Sequence, residues 1–134
     1  MTKTFLDTVG LLALWDTTDQ WHASAEAAFR RLVEASSVLT TTTSVLLECG
    51  NAAARRPYRS AVDELREQLD RAGFLIRPTE DDWEQAWDAY RLGDRSSAGI
   101  VDNISFVVMR RLEIRDAFTN DKHFRAAGFQ TLFA

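Results

Sequence analysis

Short apolar runs alternate along this chain with longer stretches whose apolar residues recur at helical spacing. The runs at residues 2–6, 37–41, 74–76, 117–119 and 129–133 predict strands. Residues 7–15 predict a turn into a short helix carrying Leu11, Leu12 and Leu14. A second helix starts at Asp19 or Ser24 and carries Ala25, Ala28, Phe29, Leu32 and Val33. One of Thr42, Thr43 and Ser44 caps a third, holding Leu46, Leu47 and the alanines 52–54, until Pro57 interrupts the pattern. Residues 60–72 form an amphipathic helix with Ala61, Leu65 and Leu69 on one side, ended by Gly73. Thr79 followed by Glu80, Asp81 and Asp82 reads as a cap with an acidic first turn, ahead of Trp83, Ala86, Trp87 and Tyr90. A polar loop spans 93–99, and a short helix over 121–127 ends at Gly128. Residues 101–112 are ambiguous: β-branched and aromatic content favours a strand, length and Arg110-Arg111 a buried helix. Strands alternating with helices predict an α/β sandwich with a mostly parallel sheet of about four to five short strands.

The chain has no repeat or low-complexity tract, and its 134 residues predict one domain over 1–134. Cys49 is the single cysteine, so neither an internal disulfide nor a cysteine-based zinc site is available. No apolar run approaches the roughly 20 residues that span a bilayer, and the start lacks a signal-peptide core, so a cytoplasmic location is expected. A net charge of −4 excludes a basic nucleic-acid coater, but not a nuclease that brings its own cations.

Four carboxylates interrupt or border apolar segments. Asp7 follows Phe5-Leu6, Glu48 ends Val45-Leu46-Leu47, Asp102 lies within Ile100-Val101-Asp102-Asn103-Ile104, and Asp121 follows Ala117-Phe118-Thr119-Asn120. A buried carboxylate is strongly disfavoured unless it meets a cation or donors. Four of them suggest a shared hard divalent ion, Mg2+ or Mn2+, which takes oxygen ligands. Asp7 and Asp121 each follow a predicted strand, which places them at the carboxyl edge where α/β sheets bind ligands. Each acid also has a simpler role: Asp7, Asp102 and Asp121 as helix caps, Glu48 as a solvated helix residue. Asp94 in the polar loop and Asp116 at a turn are competing carboxylates of lower rank.

These residues resemble the PIN-domain ribonucleases, specifically the VapC-type toxins of toxin–antitoxin pairs. Phe5-Leu6-Asp7-Thr8 is similar to the family's first acidic position, and Thr41-Thr42-Thr43-Ser44-Val45-Leu46-Leu47-Glu48 to its second. The segment from Ile100 through Asp102 to Arg111 resembles the third, and Ala117-Phe118-Thr119-Asn120-Asp121-Lys122-His123-Phe124 the fourth. Order and spacing agree over essentially the whole chain. One departure is Gly99, where the family often has Ser three residues before the third Asp.

The resemblance implies a PIN-like fold, a helix over 101–112 and a Mg2+/Mn2+-dependent endoribonuclease. It implies Asp7, Asp102, Asp121 and Glu48 as metal and catalytic residues, with Thr8 and Thr119 in support. It further implies an RNA substrate, a homodimer and a small antitoxin protein that blocks the acidic site. The main alternative is a PIN-like RNA- or protein-binding module without turnover. An aspartyl-phosphate receiver fits poorly: it needs two adjacent early acids, whereas Asp7 stands between Leu6 and Thr8.

Among the remaining residues, Arg55, Arg56 and Arg59 form a basic group just past the Glu48 helix, a solvated surface or an RNA or partner contact. The Trp83, Trp87 and Tyr90 stripe is read as core or dimer packing ahead of base stacking, and Cys49 as a buried small side chain. His22 and His123 lack a nucleophile pattern, with His123 a low-ranking candidate for a phosphate contact.

Overall fold

The computed structural model describes residues 2–93 and 97–134. Its centre is β1 (Lys3–Leu6), where Thr4, Phe5 and Leu6 are all buried, as expected of a strand covered on both faces. β2 (Val38–Thr42) and β4 (Asp116–Phe118) flank it, and β3 (Leu75–Ile76) and β5 (Gln130–Thr131) form the edges. The order is β3-β2-β1-β4-β5 and every pairing is parallel, with Phe5 opposite Thr40 on one side and Ala117 on the other. The sheet is thus wholly parallel, beyond the mostly parallel sheet expected. The edge strands are two residues each, shorter than the apolar runs at 74–76 and 129–133. Phe133 there is buried by side-chain packing against Phe118 rather than by pairing.

Seven helices complete the described chain: α1 (Thr8–Trp15), α2 (His22–Glu34), α3 (Thr43–Ala53), α4 (Arg59–Ala72), α5 (Glu80–Leu92), α6 (Ile100–Arg111) and α7 (Lys122–Ala126). The ambiguous segment is the helix α6, as the resemblance implied, and it buries Ile104, Phe106, Val108 and Met109. Thr42 caps α3, and Thr79 and Asp82 form a reciprocal capping box on α5. α2 begins at His22 instead of Asp19 or Ser24, because the Asp19 carboxylate takes the Trp21 N–H in a preceding turn. α4 buries Val62 and Leu69. Leu65 and Ala61 are half-buried, so the predicted face is kept and extended to Val62.

α5 is rotated from expectation. Asp82 and Ala86 point inward, while Trp83, Trp87 and Tyr90 are 43–48% exposed, so the core reading of that stripe is wrong for this chain. Asp82 instead receives a two-pronged ion pair from Arg111, with Nε at 2.9 Å and Nη2 at 2.7 Å, tying the start of α5 to the end of α6. The main core joins Phe5, Leu6, Leu11, Val45, Met109 and Phe118 around the sheet. α1 lies so close to β4 that a Cβ on Gly10 would sit 2.0 Å from the Phe118 carbonyl oxygen, so no other residue fits there without movement.

In this topology the chain leaves β1 towards one edge and returns to β4 on the other side of it. The carboxyl ends of β1 and β4 therefore border the switch-point crevice in which open α/β sheets hold ligands.

Candidate active site

Four chain segments meet at that crevice. β1 ends in Asp7, which is 1% exposed and caps α1 by accepting the Val9 N–H at 3.3 Å. β4 runs into Thr119, whose buried hydroxyl donates to Asp7 Oδ2 at 2.8 Å and accepts the Asp121 N–H at 3.1 Å. One hydroxyl thereby fixes the first and fourth acidic segments relative to each other across the β1–β4 seam. Asp121 caps α7 and accepts the His123 N–H at 2.9 Å. α6 presents Asp102 in its first turn. α3 presents Glu48 at the exposed rim, where it accepts a hydrogen bond from the Thr8 hydroxyl.

The electrostatics link all four. Burial raises Asp7 from 3.8 to about 7; the Thr119 hydrogen bond opposes this, and the charge of Asp102 adds to it. Burial, followed by repulsion from Asp121 and Glu48, raises Asp102 to about 6. Asp102 is therefore the hub, within electrostatic reach of the other three carboxylates. Among the described residues no Lys or Arg forms an ion pair with Asp7, Glu48, Asp102 or Asp121; the single such partner is His123, with Nδ1 2.9 Å from Asp121 Oδ1. One donor atom from each of Asp102, Asp121 and His123 lies within 4.8 Å of the others, a separation that suits ligation of a single ion.

The structure brings together Asp7, Glu48, Asp102, Asp121, Thr8 and Thr119. It holds Arg56 away from them. Arg56 pairs with Asp16 at 2.8 Å, beyond the far end of α1 from Asp7, and Arg59 donates to the Ala54 carbonyl at 3.2 Å. Asp116 starts β4 and so lies at the opposite edge of the sheet, and Asp94 is outside the described residues. Gly99 caps α6 without a side chain, and Asn103 Nδ2 donates back to its carbonyl at 2.9 Å, so the missing hydroxyl leaves the helix start intact. Cys49 is fully buried beneath Thr8 and Glu48, and burial pushes its thiol up to about 12, which removes it as a nucleophile. His123 was ranked low by sequence; its spacing of two residues from Asp121, at the start of a helix, was the signal available. A cleft of about 350 Å³ between α3, α5 and α6 opens beside Glu48 and is lined by Asn51, Trp83, Trp87 and Val101.

The PIN domain family model matches residues 4–130. The chain is 33% identical over 126 residues to the 23S rRNA-specific endonuclease VapC20 of Mycobacterium tuberculosis, covering 93% of this chain and 94% of that protein in each of two strains. The crystal structure of VapC20, a Sarcin-Ricin loop cleaving toxin, superposes with a TM-score of 0.80 at 30% identity, covering 98% of this chain and 100% of that one. The structure of FitAcB from Neisseria gonorrhoeae shares the fold, with a TM-score of 0.63 at 16% identity over 96% of each chain. The family match, the relative and the shared fold agree, and the chain belongs to the PIN-domain family, in its VapC-type group.

Proposed function

We propose that this chain is a divalent-metal-dependent endoribonuclease and the toxin of a VapBC-type pair, folded as a single domain over residues 1–134. The observation that carries this reading is the convergence of four segments on unpaired carboxylates at the sheet's switch point. The donor set fits a hard cation: oxygen ligands, two with pKa values raised by burial and by neighbouring carboxylates. Asp7, Asp102 and Asp121 would hold the ion, directly or through water, with Glu48 as a further ligand or outer base. Mg2+ and Mn2+ are the ions proposed; when bound, such an ion activates water and neutralises phosphate oxygens.

The chain's own groups then have separable tasks. Thr119 holds the Asp7 carboxylate in one orientation, and Thr8 does the same for Glu48. Glu48, at the exposed rim, is the acid placed to take a proton from the attacking water. A bound cation would favour the ionised form of Asp7 and Asp102, lowering both raised values.

Ribosomal RNA is the first substrate to test, since the relative VapC20 is a 23S rRNA-specific endonuclease. A small antitoxin that covers the acidic crevice is the partner proposed. Exposed Leu47, Trp83, Trp87 and Tyr90 offer an apolar face for the homodimer. The test is incubation of purified ribosomes and of total RNA with the protein in Mn2+ or Mg2+, beside EDTA and the Asp102→Asn variant. Discrete fragments that need the ion and Asp102 support the reading. Intact RNA in every lane, from folded protein, favours the binding module without turnover.

A further inference from the structure

The acidic cluster contains one donor that is not oxygen. His123 sits in the first turn of α7, its side chain 21% exposed, and its ring is held at both ends. Nδ1 lies 2.9 Å from Asp121 Oδ1 and Nε2 lies 3.3 Å from Ser97 Oγ. The His123 backbone N–H donates to the same Asp121 oxygen. In the tautomer that carries its proton on Nε2, donating to the Ser97 hydroxyl, the ring turns its Nδ1 lone pair to the space it shares with Asp121. The serine hydroxyl can donate or accept, so it suits either neutral tautomer. A ring nitrogen lies within 4.8 Å of a carboxylate oxygen of Asp102 as well as of one of Asp121.

We propose that His123 supplies a nitrogen ligand to the cation held by Asp102 and Asp121, so that the site prefers Mn2+ to Mg2+. This rests on the metal-site reading given above. Mg2+ demands oxygen and keeps its waters, whereas imidazole suits first-row transition ions. An all-carboxylate site would hold both ions on similar terms. Replacing one of three close donors by imidazole shifts the balance, because only Mn2+ gains from the nitrogen. The Ser97 hydroxyl, facing Nε2, is then the group that orients the ligating ring.

Two measurements on the Mn2+-loaded protein test this without reference to cleavage. Pulsed EPR reads couplings between the bound Mn2+ and ligand nitrogen, and calorimetry gives the dissociation constants of Mn2+ and Mg2+. Wild type should show the nitrogen coupling. His123→Asn should lose it and bind Mn2+ about 10-fold more weakly, with Mg2+ affinity changed less than about 2-fold. Asp102→Asn should weaken both ions. Mn2+ binding that depends on Asp102 but shows no nitrogen coupling, or equal losses for both ions in His123→Asn, overturns the role of His123 and leaves the acidic site standing. A wild-type protein that binds neither ion overturns both.

Discussion

Asp7 and Asp82 are equally buried and electrostatically opposite. Asp82 is 0% exposed and Asp7 1%, and each accepts a backbone N–H. Burial works against the charge of both. At Asp82 the hydrogen bonds from Arg111 and from the Thr79 N–H outweigh it, and the carboxyl is held below the usual value. At Asp7 only neutral donors oppose burial, the Thr119 hydroxyl first and the Val9 and Thr8 N–H groups after it, and a second carboxylate adds to the shift, so the value rises to about 7. One acid has its cation built into the chain as an arginine; the other stands in a group that no Lys or Arg is paired with among the described residues. That contrast separates a structural lock from a binding site better than burial does.

The largest effect should come from removing a member of the unpaired group. Asp102→Asn should lower metal-dependent RNA cleavage at least ~1,000-fold while leaving the circular dichroism spectrum unchanged. Retention of normal cleavage would reject the assignment.

Stability should respond in the opposite sense. A carboxyl whose folded value is raised from 3.8 to about 7 contributes stability that is fully present below 3.8 and is lost as pH rises through about 7. Asp7→Asn removes that loss, so the metal-free variant should be more stable than wild type by roughly 2 kcal/mol at about pH 8, with the advantage fading towards pH 4. Chemical denaturation in EDTA at both pH values checks it. Destabilisation at the higher pH would show that Asp7 already has a counter-charge.

Arg111→Ala should turn Asp82 into a second Asp7. Its depressed value contributes stability above 3.8 that is lost as pH falls through the folded value. In the variant the carboxyl should titrate above the 3.8 of an unperturbed aspartate, with about 1–2 kcal/mol of stability lost at neutral pH, a figure reduced because the arginine is itself 42% exposed. Carbon-13 NMR titration of the carboxyl reads the first and thermal unfolding the second. The smallest effect belongs to Arg56, whose pairing with Asp16 lies at the surface. Arg56→Gln should leave the unfolding midpoint unchanged and cleavage within about 3-fold, because this arginine is held away from the crevice; a large loss of cleavage would restore it to the RNA path.

Legibility in the sequence followed the range of each interaction. Strands, helices and caps are local, and most appeared where apolar spacing put them. The four acids were visible because each breaks an apolar segment. Their meeting was not: Thr119 and Asp7 are 112 residues apart, and only the parallel β1–β4 pairing brings them together. Asp82 looked like an ordinary first-turn acid because its local duty, the capping box, is satisfied within three residues, while Arg111 lies 29 residues on. The tryptophan stripe misled because helical spacing reveals a face without saying which way it points. Arg56 follows Glu48 closely in sequence, yet it lies beyond the end of α3 and turns to Asp16.

The central claim is that the unpaired carboxylates await a divalent cation. Thermal unfolding at about pH 8 with increasing Mn2+ tests it most directly. A site of this kind predicts a saturable rise in the wild-type midpoint, worth about 2.7 kcal/mol at a hundredfold excess over the dissociation constant, and no rise in Asp102→Asn. A wild-type midpoint indifferent to Mn2+, or an equal rise in the variant, would contradict it.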